Sequence, residues 1–103
     1  MDKGAALNAI SRFRRALEAG GIRVARIVLY GSHAEGTARE ESDIDLVVIS
    51  EDFADKGYWQ RLELLSDAIY KVFEPIEAVA MTPEEWDSGD SLIAQYARDG
   101  EVL

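Results

Sequence analysis

The segment from Gly31 to Asp45 holds the residues best suited to chemistry. It reads G-S-x3-G-x5-S-D-x-D, through Gly31, Ser32, Gly36, Ser42, Asp43 and Asp45. Six fixed positions at ~6% usage each coincide by chance about once in 10⁷ starts. Asp43 and Asp45 are two apart, so in an extended strand both side chains leave the same face, while Ile44 points to the other and into a core. Two parallel carboxylates repel unless a cation sits between them. Hard cations with oxygen ligands, Mg²⁺ first, suit such a pair. Gly31-Ser32 ends an apolar run and can open a helix at Ser32, whose free N–H groups and hydroxyl then face an anion. Gly36 allows a close backbone approach there. Ser42 either caps the turn into the strand or joins the metal site. Phosphate cradle, metal and acids together are the parts of a phosphoryl or nucleotidyl transfer site.

A third acid is expected from the elements that must position these groups. Ala6 to Leu17 has Leu7, Ile10, Phe13 and Leu17 at helical spacing, and Gly20-Gly21 stops it. Val24–Tyr30 reads as a strand, and so does Asp43–Ser50, whose later half is apolar on both faces like a covered central strand. Tyr58–Phe73 reads as a long helix with Leu62, Leu65, Ile69 and Val72 facing inward. Ile76–Met81 is a third strand. Thr82-Pro83-Glu84-Glu85 supplies an N-cap, a first-turn proline and a capping-box glutamate for a short helix through Trp86. Ser91–Arg98 is a last short helix, closed by Gly100. The helix between the second and third strands favours a parallel crossover, whereas the first two strands are more easily antiparallel. The expected fold is α/β (α+β): a small mixed sheet with helices on one side. In that arrangement Glu77 alternates with Ile76 and Ala78 and shares the face of Asp43 and Asp45, so three carboxylates converge on one metal. An exposed edge-strand acid is the alternative for Glu77.

Composition narrows the function classes. The 103 residues suit one domain, 1–103, with 48% hydrophobic and 30% charged residues. No apolar run spans a bilayer and no signal-peptide core follows the N-terminus. The absence of cysteine removes disulfides and thiolate chemistry and suits the cytoplasm. The formal net charge of −9 argues against general nucleic-acid binding. Residues 1–30 hold six Lys/Arg against Asp2 and Glu18, while residues 31–103 hold five against eighteen acids. The basic cluster Arg12, Arg14, Arg15, Arg23 and Arg26 is either the polar face and exit of the first helix or a patch for an acidic partner or a nucleotide. His33 reads as a surface residue. Trp59, Phe73 and Trp86 sit where helices pack and read as core or partner interface.

Leu29–Val48 (LYGSHAEGTAREESDIDLVV) resembles the signature of the DNA polymerase beta-like nucleotidyltransferase superfamily. Over nearly its full length the chain resembles the minimal nucleotidyltransferases, small proteins usually encoded beside a HEPN-domain partner. The resemblance implies a mixed sheet with flanking helices. It implies that Gly31 and Ser32 contact the triphosphate, that Asp43 and Asp45 bind Mg²⁺, and that Glu77 completes the site. It also implies an antitoxin that transfers AMP from ATP to a tyrosine of a HEPN toxin. Family members often carry Arg at the positions of His33 and Glu35, and Asp at that of Glu77. A catalytically weak module of the same fold, neutralising its partner by contact, is the rival expectation. Either way the acceptor is expected on another molecule.

Overall fold

The structure, a computed structural model, describes all 103 residues. The elements in chain order are α1 (Lys3–Ala19), β1 (Arg26–Tyr30), α2 (Ser32–Glu35), β2 (Ile44–Ile49), a 3-10 turn (Glu51–Phe53), α3 (Tyr58–Val72), β3 (Ile76–Met81), α4 (Pro83–Ser88), α5 (Leu92–Ala97) and β4 (Glu101–Val102). The strands form one sheet in the order β3-β2-β1-β4. β1 is antiparallel to β2 and to β4, and β2 is parallel to β3. The mixed sheet expected from the α3 crossover is therefore present. No helix is long and apolar enough to cross a membrane.

Strand alternation divides the interior in two. Ile27, Leu29, Ile44, Leu46 and Val48 point to the face covered by α1 and α3, where they meet Ala9, Ile10, Phe13, Leu17, Leu65 and Val72. Val28, Val47, Ile49 and Met81 point to the other face and pack with Trp86 of α4 and with Ala94 and Ala97 of α5. The expectation of helices on one side only is thus corrected. The two short C-terminal helices bury an apolar side each, and the second face of β2 is the surface available to them. The doubly apolar run Leu46–Ile49 is fully buried because both faces are covered.

Local signals explain most boundaries. Asp2 caps α1 by accepting the Ala5 N–H at 2.7 Å. Thr82 and Glu85 form the reciprocal capping box of α4, with bonds of 2.8 and 3.1 Å. The inward stripe of α1 keeps Ile10, Phe13 and Leu17 as expected but begins on Ala6 and Ala9 in place of Leu7. Ala6 and Ala9 are wholly buried while Leu7 is 37% exposed, because the small side chains let the helix approach closely. In α3, Leu65, Ala68 and Val72 face inward and Leu62 lies at the margin. Trp86 is a core residue, but Trp59 and Phe73 are 75% and 86% exposed, which leaves only the interface half of their expected reading.

β4 gave no sequence signal, since two residues cannot show periodicity. It pairs Val102 with Val28 and Glu101 with Leu29, beside the end of β1 that leads into Gly31. Gly100 makes that docking possible. A Cβ there would lie 2.5 Å from the Leu29 carbonyl and 2.8 Å from Val28 Cγ1. Gly100→Ala should therefore lower the unfolding free energy by about 1–3 kcal/mol, the usual cost of overpacking, in a urea titration.

Candidate functional site

β2 and β3 run in parallel with Asp45 directly beside Glu77, and β1 runs antiparallel to β2 with Tyr30 directly across from Asp45. All three side chains leave the face that carries α4 and α5, because alternation assigns Val28, Val47 and Val79 to it as well. Asp43 has the same parity but lies just before β2 and is exposed. Ile44 between the aspartates is fully buried on the opposite face, which pins their orientation. Asp45 is half-buried and Glu77 is exposed.

The electrostatics follow from this register. Burial, then the neighbouring charges of Glu77 and Asp43, push the Asp45 carboxyl above its ordinary value of 3.8. A protonated Asp45 can also donate to Glu77, which acts in the same direction, while His33 opposes the shift. The Tyr30 hydroxyl is raised as well, first by burial and then by Asp45, Glu77 and Tyr96. The site therefore carries negative charge that the protein itself does not balance.

The turn after β1 closes over these acids. Gly31 adopts φ +73°, a left-handed conformation open mainly to glycine, and a Cβ at this position would sit 2.5 Å from Asp45 Oδ2. Close backbone approach is thus the property of Gly31. Gly36 has open space around its Cα and is glycine because it ends α2 at φ +77°. The Gly31 carbonyl accepts the Ala34 and Glu35 N–H groups at 3.1 Å. The first amides of the turn, those of Ser32 and His33, have no backbone acceptor. Ser42 spends its hydroxyl on its own turn, accepting the Arg39 N–H at 2.8 Å.

His33 corrects the sequence reading. It is 3% exposed, with Nε2 3.3 Å from the Ser42 carbonyl, to which it must donate. The ring ties the turn after β1 to the segment that enters β2 after Asp43. The only available signal was that His33 follows Ser32 in a turn that must fold back on the acids. Of the basic cluster, Arg12 bonds Glu74 and the Val72 carbonyl, Arg14 bonds the Val24 carbonyl, and Arg23 pairs with Asp52. These contacts fit the polar-face reading.

The structure brings Asp45 and Glu77 together beside Gly31, with Asp43 near enough to raise Asp45. The expected closure of all three on one point is not reached, since no group of three or more His, Cys, Asp or Glu side chains converges enough to hold a metal ion. The donor set is nonetheless all oxygen and under-neutralised, which fits a hard cation. Mg²⁺ in particular keeps several waters and is usually bound by one or two carboxylates plus substrate phosphates, with no need for an all-protein cage. A cavity of about 320 Å³ opens beside the turn, walled by Tyr30, Gly31, Glu35, Tyr96 and Asp99. The Tyr30 and Tyr96 rings meet edge to face there, with centroids 5.8 Å apart.

This fold and site define a nucleotidyl-transfer architecture, and comparison with known proteins agrees. Residues 10–92 match the family model of the nucleotidyltransferase domain, so the chain belongs to that family. Among solved structures it is similar to a proposed nucleotidyltransferase from Sulfolobus solfataricus, with a TM-score of 0.75 at 15% identity over 97% of this chain and 80% of the other. It is also similar to a second proposed nucleotidyltransferase, with a TM-score of 0.59 at 26% identity over 97% and 98% of the two chains. The crystal structure of a toxin–antitoxin with AMP-PNP gives a TM-score of 0.62 at 23% identity over 92% and 69%. No curated protein matches the chain.

The raised Asp45 has a measurable consequence. A carboxyl whose folded value exceeds its unfolded one binds more protons when folded, so stability falls as pH rises from about the unfolded value through the folded one. Asp45→Asn removes that loss. In chelator-treated protein the variant should melt a few degrees above wild type at pH 7, and the gain should vanish once the pH drops below the unfolded carboxyl value. A variant that melts below wild type at both pH values would contradict the electrostatic account.

Proposed function

We propose that this chain is a Mg²⁺-dependent nucleotidyltransferase that transfers AMP from ATP to a hydroxyl group, a tyrosine of a HEPN-type partner, and so acts as a cytoplasmic antitoxin. The observation that carries the transferase part is the side-by-side register of Asp45 and Glu77 against the Gly31-Ser32 turn, in a chain of the nucleotidyltransferase family. ATP, the tyrosine and the partner follow the resemblance to minimal nucleotidyltransferases. The fold shared with a toxin–antitoxin structure that holds AMP-PNP is in keeping with them.

In this reading the Ser32 hydroxyl and the unpaired amides of the turn hold the β- and γ-phosphates, with Gly31 and Gly36 shaping the backbone and Ser42 fixing the approach to β2. Asp43, Asp45 and Glu77 would hold Mg²⁺, which when bound neutralises phosphate charge and eases deprotonation of the acceptor. Glu77 orients the attacking hydroxyl. The acceptor oxygen bonds to the α-phosphorus, the bond to the β-phosphate oxygen breaks, pyrophosphate leaves, and the hydroxyl proton passes to the carboxylate cluster. His33 acts as a positioning residue by keeping the turn seated on the Asp43 approach.

A second reading, a partner-binding module without transfer, is favoured by one observation: the three carboxylates do not close on a point. Two measurements separate the readings. Mg²⁺ with ATP should raise the melting temperature, since ligands that bind only the folded state stabilise it. Asp43→Asn with Asp45→Asn should lose most of that rise relative to its own ligand-free baseline. Labelled-AMP incorporation into a co-expressed HEPN partner should fall by orders of magnitude in Glu77→Gln, several kcal/mol of barrier, and persist in Glu77→Asp. Transfer by Glu77→Gln at the wild-type rate would falsify the role of Glu77. A wild type that neutralises the partner without any incorporation would establish the binding module instead.

A further inference from the structure

The open edge of the sheet and an exposed aromatic flank lie together on this molecule. β3 has a strand neighbour on one side only, so half of its N–H and C=O groups face outward unpaired. Its middle, Ala78-Val79-Ala80, has small side chains and none of the charges, prolines or bulges that usually guard an edge. Beside it a groove of about 390 Å³ separates β3 from α3, with Tyr58, Leu62 and Leu65 facing Ala78, Val79 and Ala80. At 3.6 residues per turn, Tyr58, Leu62, Ile69 and Phe73 fall within roughly 60° of one another on that flank, and Trp59 and Tyr70 continue it.

This flank is unusually bare. Tyr58, Trp59, Tyr70 and Phe73 are 69%, 75%, 80% and 86% exposed. Phe73 also holds φ +58° at the end of α3, a conformation that suits glycine and not a bulky ring. Burial within the fold does not offset that backbone, since the ring is largely in solvent. Four aromatics of 150–250 Å² each, mostly exposed, offer roughly 500 Å², before the strand edge is added, toward the ~800 Å² per partner of a standard interface.

We propose that two copies of this chain join β3 to β3, antiparallel across a two-fold axis perpendicular to the sheet. A two-fold interface must be self-complementary, and this surface is. Any strand edge can pair with its own antiparallel copy. The same operation sets both α3 helices side by side on one face, so their aromatic flanks cover each other. A foreign strand would fill the edge and leave the flank bare, and a foreign helix would do the reverse. Charge permits the contact in the groove, whose ionic residues are Lys56, Arg61 and Glu85, two cations and one anion. With the axis through Val79, Val79 faces its own copy, and Glu77 faces Met81 of the second copy and not another acid. The pairing does not depend on nucleotide chemistry.

The test is the mass in solution together with a cross-link. Wild type at tens of micromolar should sediment at twice 11.4 kDa. Leu62→Glu should weaken association at least 30-fold, the effect of losing a central anchor. Phe73→Gly should also weaken it while raising the melting temperature of the monomer, because it relieves the left-handed backbone; this keeps the proposal testable if Leu62→Glu does not fold. The chain has no cysteine, so Val79→Cys alone should oxidise to a covalent dimer, whereas Ser11→Cys on the exposed side of α1 should not. A wild type that stays monomeric to 100 μM overturns the proposal, and so does a dimer that all these changes leave intact. A chain that is monomeric alone and associates only with a different protein assigns the surface to that protein and overturns it equally.

Discussion

Two carboxylates held side by side by strand pairing are the constraint around which this protein is arranged. The parallel register sets Asp45 beside Glu77, and neither residue can leave without shifting β2 against β3. A one-residue slip would carry Asp45 onto the face packed by α1 and α3, so the burial of Ile44 on that face enforces the acidic pair. The repulsion is a local cost carried by a strand that is buried on both faces. The cost is tolerable because the same strand anchors both hydrophobic clusters.

The surroundings of that pair follow from the chain reversal between β1 and β2. An antiparallel pair places the end of β1 next to the start of β2, so the Gly31 turn lies on the Asp45 side chain. Gly31 satisfies two demands at once, a left-handed φ and the absence of a Cβ in front of Asp45 Oδ2. His33 then fastens the turn to the Ser42 carbonyl from the buried side. The turn after β1 and the carboxylates of β2 and β3 are thereby held in one unit. Their separation is set by sheet geometry and not by a flexible loop.

The strands, the long helix and the acidic motif were legible because each rests on a local rule. A doubly apolar run marks β2, the T-P-E-E cap marks α4, and Gly20-Gly21 marks the end of α1. What escaped rests on contacts distant in sequence. Burial of His33 depends on the fold-back of residues 31–42. Phe53 is a fully buried core residue inside a 3-10 turn with no periodic pattern. The covering of the second sheet face depends on where two six-residue helices dock, which their own sequences do not specify. Trp59 and Phe73 show the converse: their type predicts burial, but their position on α3 puts them on the flank that no element of this chain covers. At the site itself, the acids and the glycine-serine turn were legible from spacing, whereas the looseness of the three-carboxylate arrangement was not.

That looseness fits the way the chain holds the three acids. Asp45 and Glu77 are fixed side by side by the parallel ladder. Glu77 is close enough to be the first cause, after burial, of the raised Asp45 value. Asp43 precedes β2 and has no partner in that ladder, so strand pairing fixes it less firmly than the other two. Its position depends instead on the turn that Arg39 and Ser42 close just before it. Two of the three acids are therefore placed by register, and the third by a turn.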